Sequence, residues 1–407
     1  MRLLHTADWH LGQTLHGEAR EFEHDRFLEW LGTLLVERAV DVLAIAGDVF
    51  DGQNPPVSAQ RLLYQFLARA RRLRPELAVV IIAGNHDSGG RLEAPSPLLE
   101  ELGVRVVGGL RRGADGALDV ERLLVPLAGG GWCAAIPYLR PGDLPALAGD
   151  EPEIAGVRAV HEEIFAALRA RRASDQPVIA LGHCYMAGGQ VSDLSERKIL
   201  RGNLHALPVE LFPADIDYVA LGHLHRAQSV GGREAVRYSG SPLPLALDEA
   251  GYHHQVVLVE FQAGRLAGWQ AVPVPRFVEI LRLAAPSAEA VPALLAALPE
   301  AVAGDGGGRA AWPLLELTVR LDQPAPGLRA RVEEAVANKA VRLVRLALES
   351  GGHGRALAGP AVPLSVLAPE EVFRRCWARG LRSEPSPAHL AAFHDLLETV
   401  HGQEDAE

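Results

Sequence analysis

Several short apolar runs, each followed directly by polar residues of metal-binding type, are the feature that most restricts the fold of this chain. The runs are nearly continuous in apolar side chains, which is typical of strands buried on both faces. Stretches with apolar residues at helical spacing, 21–40 and 56–74, lie between them. Strands that alternate with helices predict an α/β layered domain. The runs are Leu3–Leu4, Val42–Ala46, Val79–Ala83, Val178–Leu181 and Tyr218–Leu221.

Metal-binding side chains are predicted at the carboxyl ends of these strands, where the ligands of α/β domains collect. Their carboxylate, imidazole and amide groups suit a divalent transition metal such as Mn²⁺, Fe²⁺ or Zn²⁺. The set is too large for one ion, and it predicts two ions that share the carboxylate of Asp48. Such a pair can activate water and polarise a phosphoryl oxygen. The candidate ligands are Asp8, His10, Asp48, Asn85, His183, His223 and His225.

Taken alone, each candidate ligand has an ordinary structural interpretation. An Asp after a strand is usually a turn residue or a helix cap, and a buried His is more often a hydrogen-bonded core residue. The ordered set favours a metal site, because Asp-x-His, Gly-Asp, Gly-Asn-His-Asp, Gly-His and Gly-His-x-His each follow an apolar run. From Leu4 to about Pro244 this set resembles the calcineurin-like metallophosphoesterase family.

The resemblance implies a four-layered α/β/β/α sandwich and a division of the ligands between two divalent ions, with Mn²⁺ preferred and Mg²⁺, Fe²⁺ or Zn²⁺ as alternatives. It also implies that His86 contacts the phosphate as a general acid or positioning donor, with Asp51 orienting it. The first ion is assigned Asp8, His10, Asp48 and His225, and the second is assigned Asp48, Asn85, His183 and His223.

The character of the sequence changes after about residue 270. The order strand, helix, strand, helix, strand, without paired ligand residues, predicts a small α+β accessory domain, and two amphipathic helices are predicted near 369–379 and 387–401. We therefore expect a metallophosphoesterase domain over 1–270, a capping domain over 271–352, and a linker with a helical tail over 353–407.

Charge and composition limit the kinds of partner. The formal net charge is −11, which is unusual for a chain that holds DNA alone and suggests that DNA binding is shared with a partner. The chain has three widely spaced cysteines, which argues against a disulfide framework. The first residues are too polar for a secretion signal, and no apolar run is long enough to span a membrane, so we expect a cytoplasmic protein.

The residues around the metal blocks bear on the substrate. Gly47-Asp48 is not followed by the arginine with which protein phosphatases of this family hold a phosphate. Stretches 5–12, 85–93, 221–225 and 238–244 resemble the SbcCD-type nuclease family of DNA break repair. This resemblance implies exonuclease action on double-stranded ends and endonuclease action on single-stranded or hairpin DNA. A small-molecule or phosphoprotein phosphoesterase is the alternative, and a catalytically inactive scaffold is a third possibility.

The same resemblance implies that the accessory domain over 271–352 is a capping domain that helps to hold DNA. It also implies two protein contacts. One is a homodimer through helices within about 55–103. The other is a coiled-coil ABC ATPase of the SbcC type, docked on the C-terminal helices, where apolar residues including Trp377 and Phe393 fall at helical spacing. From the pattern alone, these faces can equally pack on the protein's own core.

Overall fold

The computed structural model describes residues 1–127, 129–191, 206–301, 308–321, 325–350 and 369–381, and short stretches at 385–386, 389–390 and 392–394. Contacts between Cα atoms divide the chain into two compact units, Met1–Ser350 and Gly351–Glu407. The three-part division at 270 and 352 stays a prediction.

The described residues form seventeen strands and eight α-helices. None of the helices in this part of the chain is both long and apolar enough to cross a membrane. The strands are β1 (Arg2–Thr6), β2 (Thr14–Leu15), β3 (Glu18–Ala19), β4 (Val42–Ala46), β5 (Ala78–Ile82), β6 (Val104–Val107), β7 (Leu124–Pro126), β8 (Trp132–Ala135), β9 (Val178–His183), β10 (Tyr218–Gly222), β11 (Gln228–Val230), β12 (Arg233–Tyr238), β13 (Gln255–Gln262), β14 (Arg265–Pro273), β15 (Ile280–Ala285), β16 (Leu314–Leu321) and β17 (Arg342–Ser350). The helices are α1 (Glu21–Glu37), α2 (Val57–Leu73), α3 (Gly89–Glu93), α4 (Ser96–Glu101), α5 (Pro152–Arg171), α6 (Val291–Ala296), α7 (Leu328–Val336) and α8 (Pro369–Leu381).

Two six-stranded sheets form the centre of the first compact unit. The first has the order β14-β13-β1-β4-β5-β6 and the second the order β11-β12-β10-β9-β8-β7. Alternate residues of β4 explain the layering, because Val42 belongs to the apolar cluster shared with the second sheet while Leu43 belongs to the cluster that includes α1 and α2. Helix α5 adds Ile164 and Phe165 on the second sheet. The predicted four-layered sandwich is confirmed.

The parallel pairing of the central strands places their polar ends together. Strand β4 lies between β1 and β5 with all three parallel, and β9 and β10 are parallel neighbours in the facing sheet. These are the five apolar runs singled out in the sequence. Because parallel strands end at one edge of a sheet, the residues that follow them converge.

A second, smaller sheet lies near the end of the first unit. We call β15, β16 and β17 the accessory sheet; its strands are parallel and are connected through α6 and α7. Leu295, Leu317 and Val332 lie in its own apolar cluster. The predicted order of strands and helices is therefore observed here.

In the second unit, α8 covers the first of the two predicted tail helices. The ring of Phe373 stacks on that of Phe393 with centroids 4.3 Å apart, and Trp377 lies 4.3 Å from the ring of His389. Most of the second predicted helix, 387–401, lies outside the described residues.

Candidate metal centre

The loops after the strands hold several candidate ligands in a left-handed backbone conformation. The φ angles are 54° at Asp8, 45° at His10, 47° at Asp48 and 104° at His223. Residues other than glycine adopt such angles at a cost, and they cluster at functional sites where surrounding contacts enforce them. Here the backbone N–H groups of Asp8 and His10 donate to the carbonyl oxygens of Gly47 and Asp48, at 3.0 Å each.

The carboxylate of Asp48 lies between two histidines of the predicted set. Its Oδ2 is 3.4 Å from His183 Nε2 and 3.5 Å from His10 Nε2. Its Oδ1 accepts a hydrogen bond of 2.9 Å from the backbone N–H of His86. Asp48 is buried, so its carboxylate oxygens lie near histidine nitrogens rather than in bulk water.

A second group of ligand atoms meets at Asn85. The side-chain oxygen of Asn85 lies 3.0 Å from His183 Nε2 and 2.8 Å from His223 Nδ1. Amide oxygen and imidazole nitrogen are both usual ligands of divalent metals. The three residues come from the ends of three different strands, and only the fold brings them together.

A third group surrounds Asp8. Ligand atoms of Asp8, His10 and His225 lie within 4.8 Å of one another, as do those of Asp8, Asp48 and His183. The carboxylate of Asp8 also accepts the backbone N–H of His223 at 3.0 Å. All seven predicted ligands therefore converge on one centre.

The donor set fits metal ions, because two of its ring nitrogens are buried without a hydrogen-bond partner. His10 Nε2 and His223 Nε2 are buried and have no hydrogen-bond partner, and both residues line one cavity. The opposite ring nitrogen, Nδ1, is held by oxygen in three of the histidines: by Asp51 in His10, by the Ala46 carbonyl in His183 and by Glu249 in His225. An oxygen on Nδ1 fixes the ring and leaves Nε2 for an ion, as is usual in metal sites.

Electrostatics in the centre favours added positive charge. Burial raises the pKa of the Asp8 carboxyl, because the charged form loses its hydration. Burial favours the neutral ring of His183, but the charges of Asp48 and Asp8 outweigh it and raise its pKa to about 9. A divalent cation replaces such a proton when the ligands bind it.

His86 and Asp51 lie beside the ligands in an arrangement that differs in part from the expected one. His86 Nδ1 donates to the backbone carbonyl of Asp51 at 2.9 Å, so the contact that orients this ring comes from the main chain of Asp51. The Asp51 carboxylate instead lies 3.1 Å from His10 Nδ1. Ligand atoms of His10, Asp51 and His86 also lie within 4.8 Å of one another.

Two buried carboxylates support the centre and were not among the predicted site residues. Asp87 accepts the backbone N–H groups of Val49, Phe50 and Gly84 at 2.9–3.1 Å, which ties together the loops after β4 and β5. Burial raises the pKa of Asp87 to about 6. Asp87 sits inside the Gly-Asn-His-Asp block and was visible there. Glu249 lies five residues after the stretch 238–244 and belongs to none of the ligand motifs, so its role was not predicted.

Glycine is required next to the side chains of Asp48 and His183. A Cβ atom on Gly84 would collide with the Asp48 side chain, and one on Gly47, whose φ is +90°, would collide with the ring of His183. The two Gly-containing blocks therefore allow the backbone to approach the ligands closely.

A cavity of about 450 Å³ opens above the centre. Arg20 does not line it: its side chain is buried and donates to Glu23, to Gln13 and to the Pro244 carbonyl. Its hydrogen bond to Gln13, which lines the cavity, fixes the position of that side chain. The cavity is lined by His10, Gln13, Leu15, His16, Asp48, Asp51, His86, His223, His225, Leu245, Ala246, Leu247 and Arg345.

Glu249→Gln tests the support of His225. Glu249 is buried, with Oε1 2.9 Å from His225 Nδ1 and Oε2 accepting from the backbone of Leu245 at 2.7 Å. We expect a loss of about 10- to 100-fold in metal affinity, the usual effect of removing such a partner. Titration of metal into the metal-free protein measures it, and Glu260→Gln, at an exposed ion pair with Arg2, is the control. Equal affinities in the two variants would contradict the assignment.

The sequence profile of the calcineurin-like phosphoesterase family matches residues 1–227, more than half of the chain. A second profile, described as the type 5 capsule protein repressor C-terminal domain, matches residues 276–380. The solved structure of TT1561 from Thermus thermophilus aligns with a TM-score of 0.37 at 14% identity, covering 67% of this chain and 99% of that one.

Curated relatives extend the similarity beyond the phosphoesterase part. The D subunit of nuclease SbcCD from Rhodobacter capsulatus is 44% identical over 92% of this chain and 93% of its own length. The corresponding subunit of nuclease SbcCD from Bacillus subtilis is 39% identical over 67% of this chain and 69% of its own. Divalent metals are used throughout the phosphoesterase family, in agreement with the candidate ligand groups described above. The chain therefore belongs to the calcineurin-like phosphoesterases and, among them, to the family formed by the D subunits of nuclease SbcCD.

Proposed function

We propose that the metal centre hydrolyses phosphodiester bonds in DNA with two divalent ions. The observation that carries this proposal is the position of the Asp48 carboxylate between His10 and His183, which belong to the two predicted ligand sets. A carboxylate in that position can share its oxygens between two ions. Bound there, the ions would lower the pKa of water and polarise a phosphoryl oxygen.

The proposed division of the residues between the two ions is the one that the family resemblance implies. Asp8, His10 and His225 have ligand atoms close together and serve the first ion, while Asn85, His183 and His223 meet at the Asn85 oxygen and serve the second. Asp48 serves both. Mn²⁺ is the proposed ion because mixed oxygen and nitrogen ligands suit it, and Mg²⁺, Fe²⁺ and Zn²⁺ are the alternatives.

His86 acts on the substrate rather than on an ion. Its Nδ1 is occupied by the Asp51 carbonyl, so Nε2 is the nitrogen left for the phosphate, and the residue lines the cavity. It donates a hydrogen bond or a proton to the phosphate or to the leaving oxygen. Asp51 holds His86 through its carbonyl and His10 through its carboxylate.

The proposed substrate is DNA, because the relatives that match most of the chain are named nucleases. The proposed activities are exonuclease action on double-stranded ends and endonuclease action on single-stranded or hairpin DNA. The purified chain should cut hairpin and single-stranded DNA with Mn²⁺ and lose this activity with a chelator. Turnover of phosphomonoesters without any DNA cleavage would instead favour a small-molecule or phosphoprotein phosphoesterase.

The proposed homodimer uses helices within 55–103. Two apolar side chains there are strongly exposed in the single chain: Val57 at 71% and Leu98 at 76%. Pro55 and Tyr64 on one side and Arg91 and Pro95 on the other flank a common groove in this region. Exposed apolar residues of this kind are usual at subunit contacts.

The proposed partner is an SbcC-type ATPase, bound by the tail within 353–407. This assignment uses the proposed division of the chain into a nuclease part, a capping part and a partner-binding part. The proposed location of the protein is the cytoplasm. The separation of Met1–Ser350 from Gly351–Glu407 as compact units supports independent roles. An acidic chain also needs help to hold duplex DNA.

Truncation after Ser365 tests the tail. We expect the shortened chain to fold, bind metal and cut single-stranded DNA with Mn²⁺, because the first compact unit keeps all seven ligands. We expect it to lose stable association with the ATPase and ATP-dependent digestion of duplex ends, as measured by co-purification and end-labelled duplexes. Trp377→Ala and Phe393→Ala are milder variants, since large aromatic side chains often dominate an interface. Co-purification of the truncated chain at wild-type stoichiometry would place the docking surface elsewhere.

A further inference from the structure

An arginine of the accessory sheet lines the metal cavity. Arg345 lies on β17, paired in register with Glu316 on β16, and its side chain faces the same cavity as Asp48 and His86. It is separated from the last predicted ligand, His225, by more than a hundred residues of sequence. Arg345 therefore adds a cationic group to a wall that the phosphoesterase motifs do not supply.

Arg345 is held by a buried carboxylate. Its Nη1 donates to Glu316 Oε1 at 2.8 Å, and Arg282 Nε donates to Glu316 Oε2 at 2.6 Å. The Glu316 side chain is 3% exposed, whereas that of Arg345 is 40% exposed. One carboxylate thus faces two guanidinium groups, which leaves one positive charge in excess. The exposed part of Arg345 keeps N–H groups available for an anion.

The accessory sheet is fixed against the cavity by contacts of its own. Arg309 makes two hydrogen bonds to the Glu18 carboxylate, at 2.9 and 3.0 Å, and Arg342 lies 3.4 Å from the same group. An apolar cluster joins the cavity residues Leu15 and Leu247 to Val278 and Leu314 of the accessory part. These contacts set where Arg345 lies relative to the metal centre.

We propose that Arg345 is a substrate-binding residue. It contacts the phosphate that neighbours the scissile phosphate in the same DNA strand. This inference rests on the proposed DNA phosphodiesterase function. A guanidinium group binds two phosphate oxygens in one plane, which suits a phosphate of the backbone.

The test compares DNA with a substrate that has a single phosphate. Arg345→Ala should lower kcat/KM on single-stranded DNA by about 10- to 100-fold, the usual range for a hydrogen bond to a charged group. It should lower the hydrolysis of bis-p-nitrophenyl phosphate far less, because that diester has no neighbouring phosphate. The slope of log kcat/KM against log salt concentration is negative, and it should become less negative by about 0.7, the contribution of one phosphate contact on a single strand.

Two further variants act as controls. Arg329→Ala removes the same charge from α7, where the side chain is 74% exposed and paired with Glu333, and it should have no effect on either substrate. Arg345→Lys keeps the charge and should recover part of the activity on DNA and the salt slope. Thermal unfolding of each variant shows whether it is folded.

Three results overturn the proposal: equal losses on both substrates, no loss on DNA, or an unchanged salt slope. A wild-type chain that hydrolyses the small diester and cuts no DNA contradicts the proposed function itself, which separates the two failures.

Discussion

Asp48→Ala is expected to abolish DNA cleavage. The carboxylate of Asp48 is the group placed between the two ligand sets, and without it neither ion has its shared oxygen. We expect the variant to retain at most one tightly bound ion. The substitution also removes a negative charge beside His10 and His183. Because that charge attracts cations, the remaining ion should bind more weakly as well. Metal analysis of the purified variant and cleavage of labelled hairpin DNA with Mn²⁺ measure the two effects.

The matched control is Asp25→Ala. Asp25 is an exposed carboxylate on α1, away from the ligand loops, and its removal should leave metal content and cleavage unchanged. A rate close to wild type for Asp48→Ala would show that the two-ion assignment is wrong. A variant that unfolds is recognised by circular dichroism, and Asp48→Asn then keeps the shape while it removes the charge.

His86→Ala is expected to keep both ions and to lose about 10²- to 10⁴-fold in kcat, the usual contribution of a positioned acid or base. The reason is its orientation: Nδ1 donates to the Asp51 carbonyl, and the ring lies 4.8 Å from that of His10 at the edge of the ligand group. Its side chain is therefore available to the substrate without being needed by an ion. Metal stoichiometry and single-turnover cleavage separate these two roles.

The control for this variant is His253→Ala, which removes an exposed imidazole outside the centre. It should match wild type in both measurements. If His86→Ala binds only one ion, His86 is a ligand, as the proximity of His10, Asp51 and His86 also permits. If both ions are retained and kcat is unchanged, His86 has no part in the chemistry.

The part of the site that was predictable is the part encoded locally. Each candidate ligand follows a run of apolar residues. Parallel pairing brings Asp48 near Asn85 and His183 near His223, and the packing of the two sheets on each other brings the two pairs together. Glu249 and Arg345 follow no such run. They reach the centre through tertiary packing, from a loop before β13 and from the accessory sheet, and their residue types are common on any surface. Their roles follow from the fold alone.

Segment boundaries were less predictable than segment types. The alternation that begins at Phe277 predicts a strand from that residue, whereas β15 begins at Ile280. Phe277 packs against the apolar cluster of the first sheet, and Val278 packs with Leu15 and Leu247. Their apolar character therefore serves contacts outside the accessory sheet. Strand β17 extends to Ser350 because β16 pairs with it along its whole length.

The position of Arg345 late in the chain has a consequence for synthesis. The first sheet includes β13 and β14, so it is not complete until residue 273 has been made, by which point every candidate ligand and Glu249 are present. The accessory sheet follows some eighty residues later with β17. A nascent chain emerging from the ribosome can thus acquire its ions before the wall that carries Arg345 exists. Ions that bind at this stage would enter a centre that is still open on the side later covered by β17.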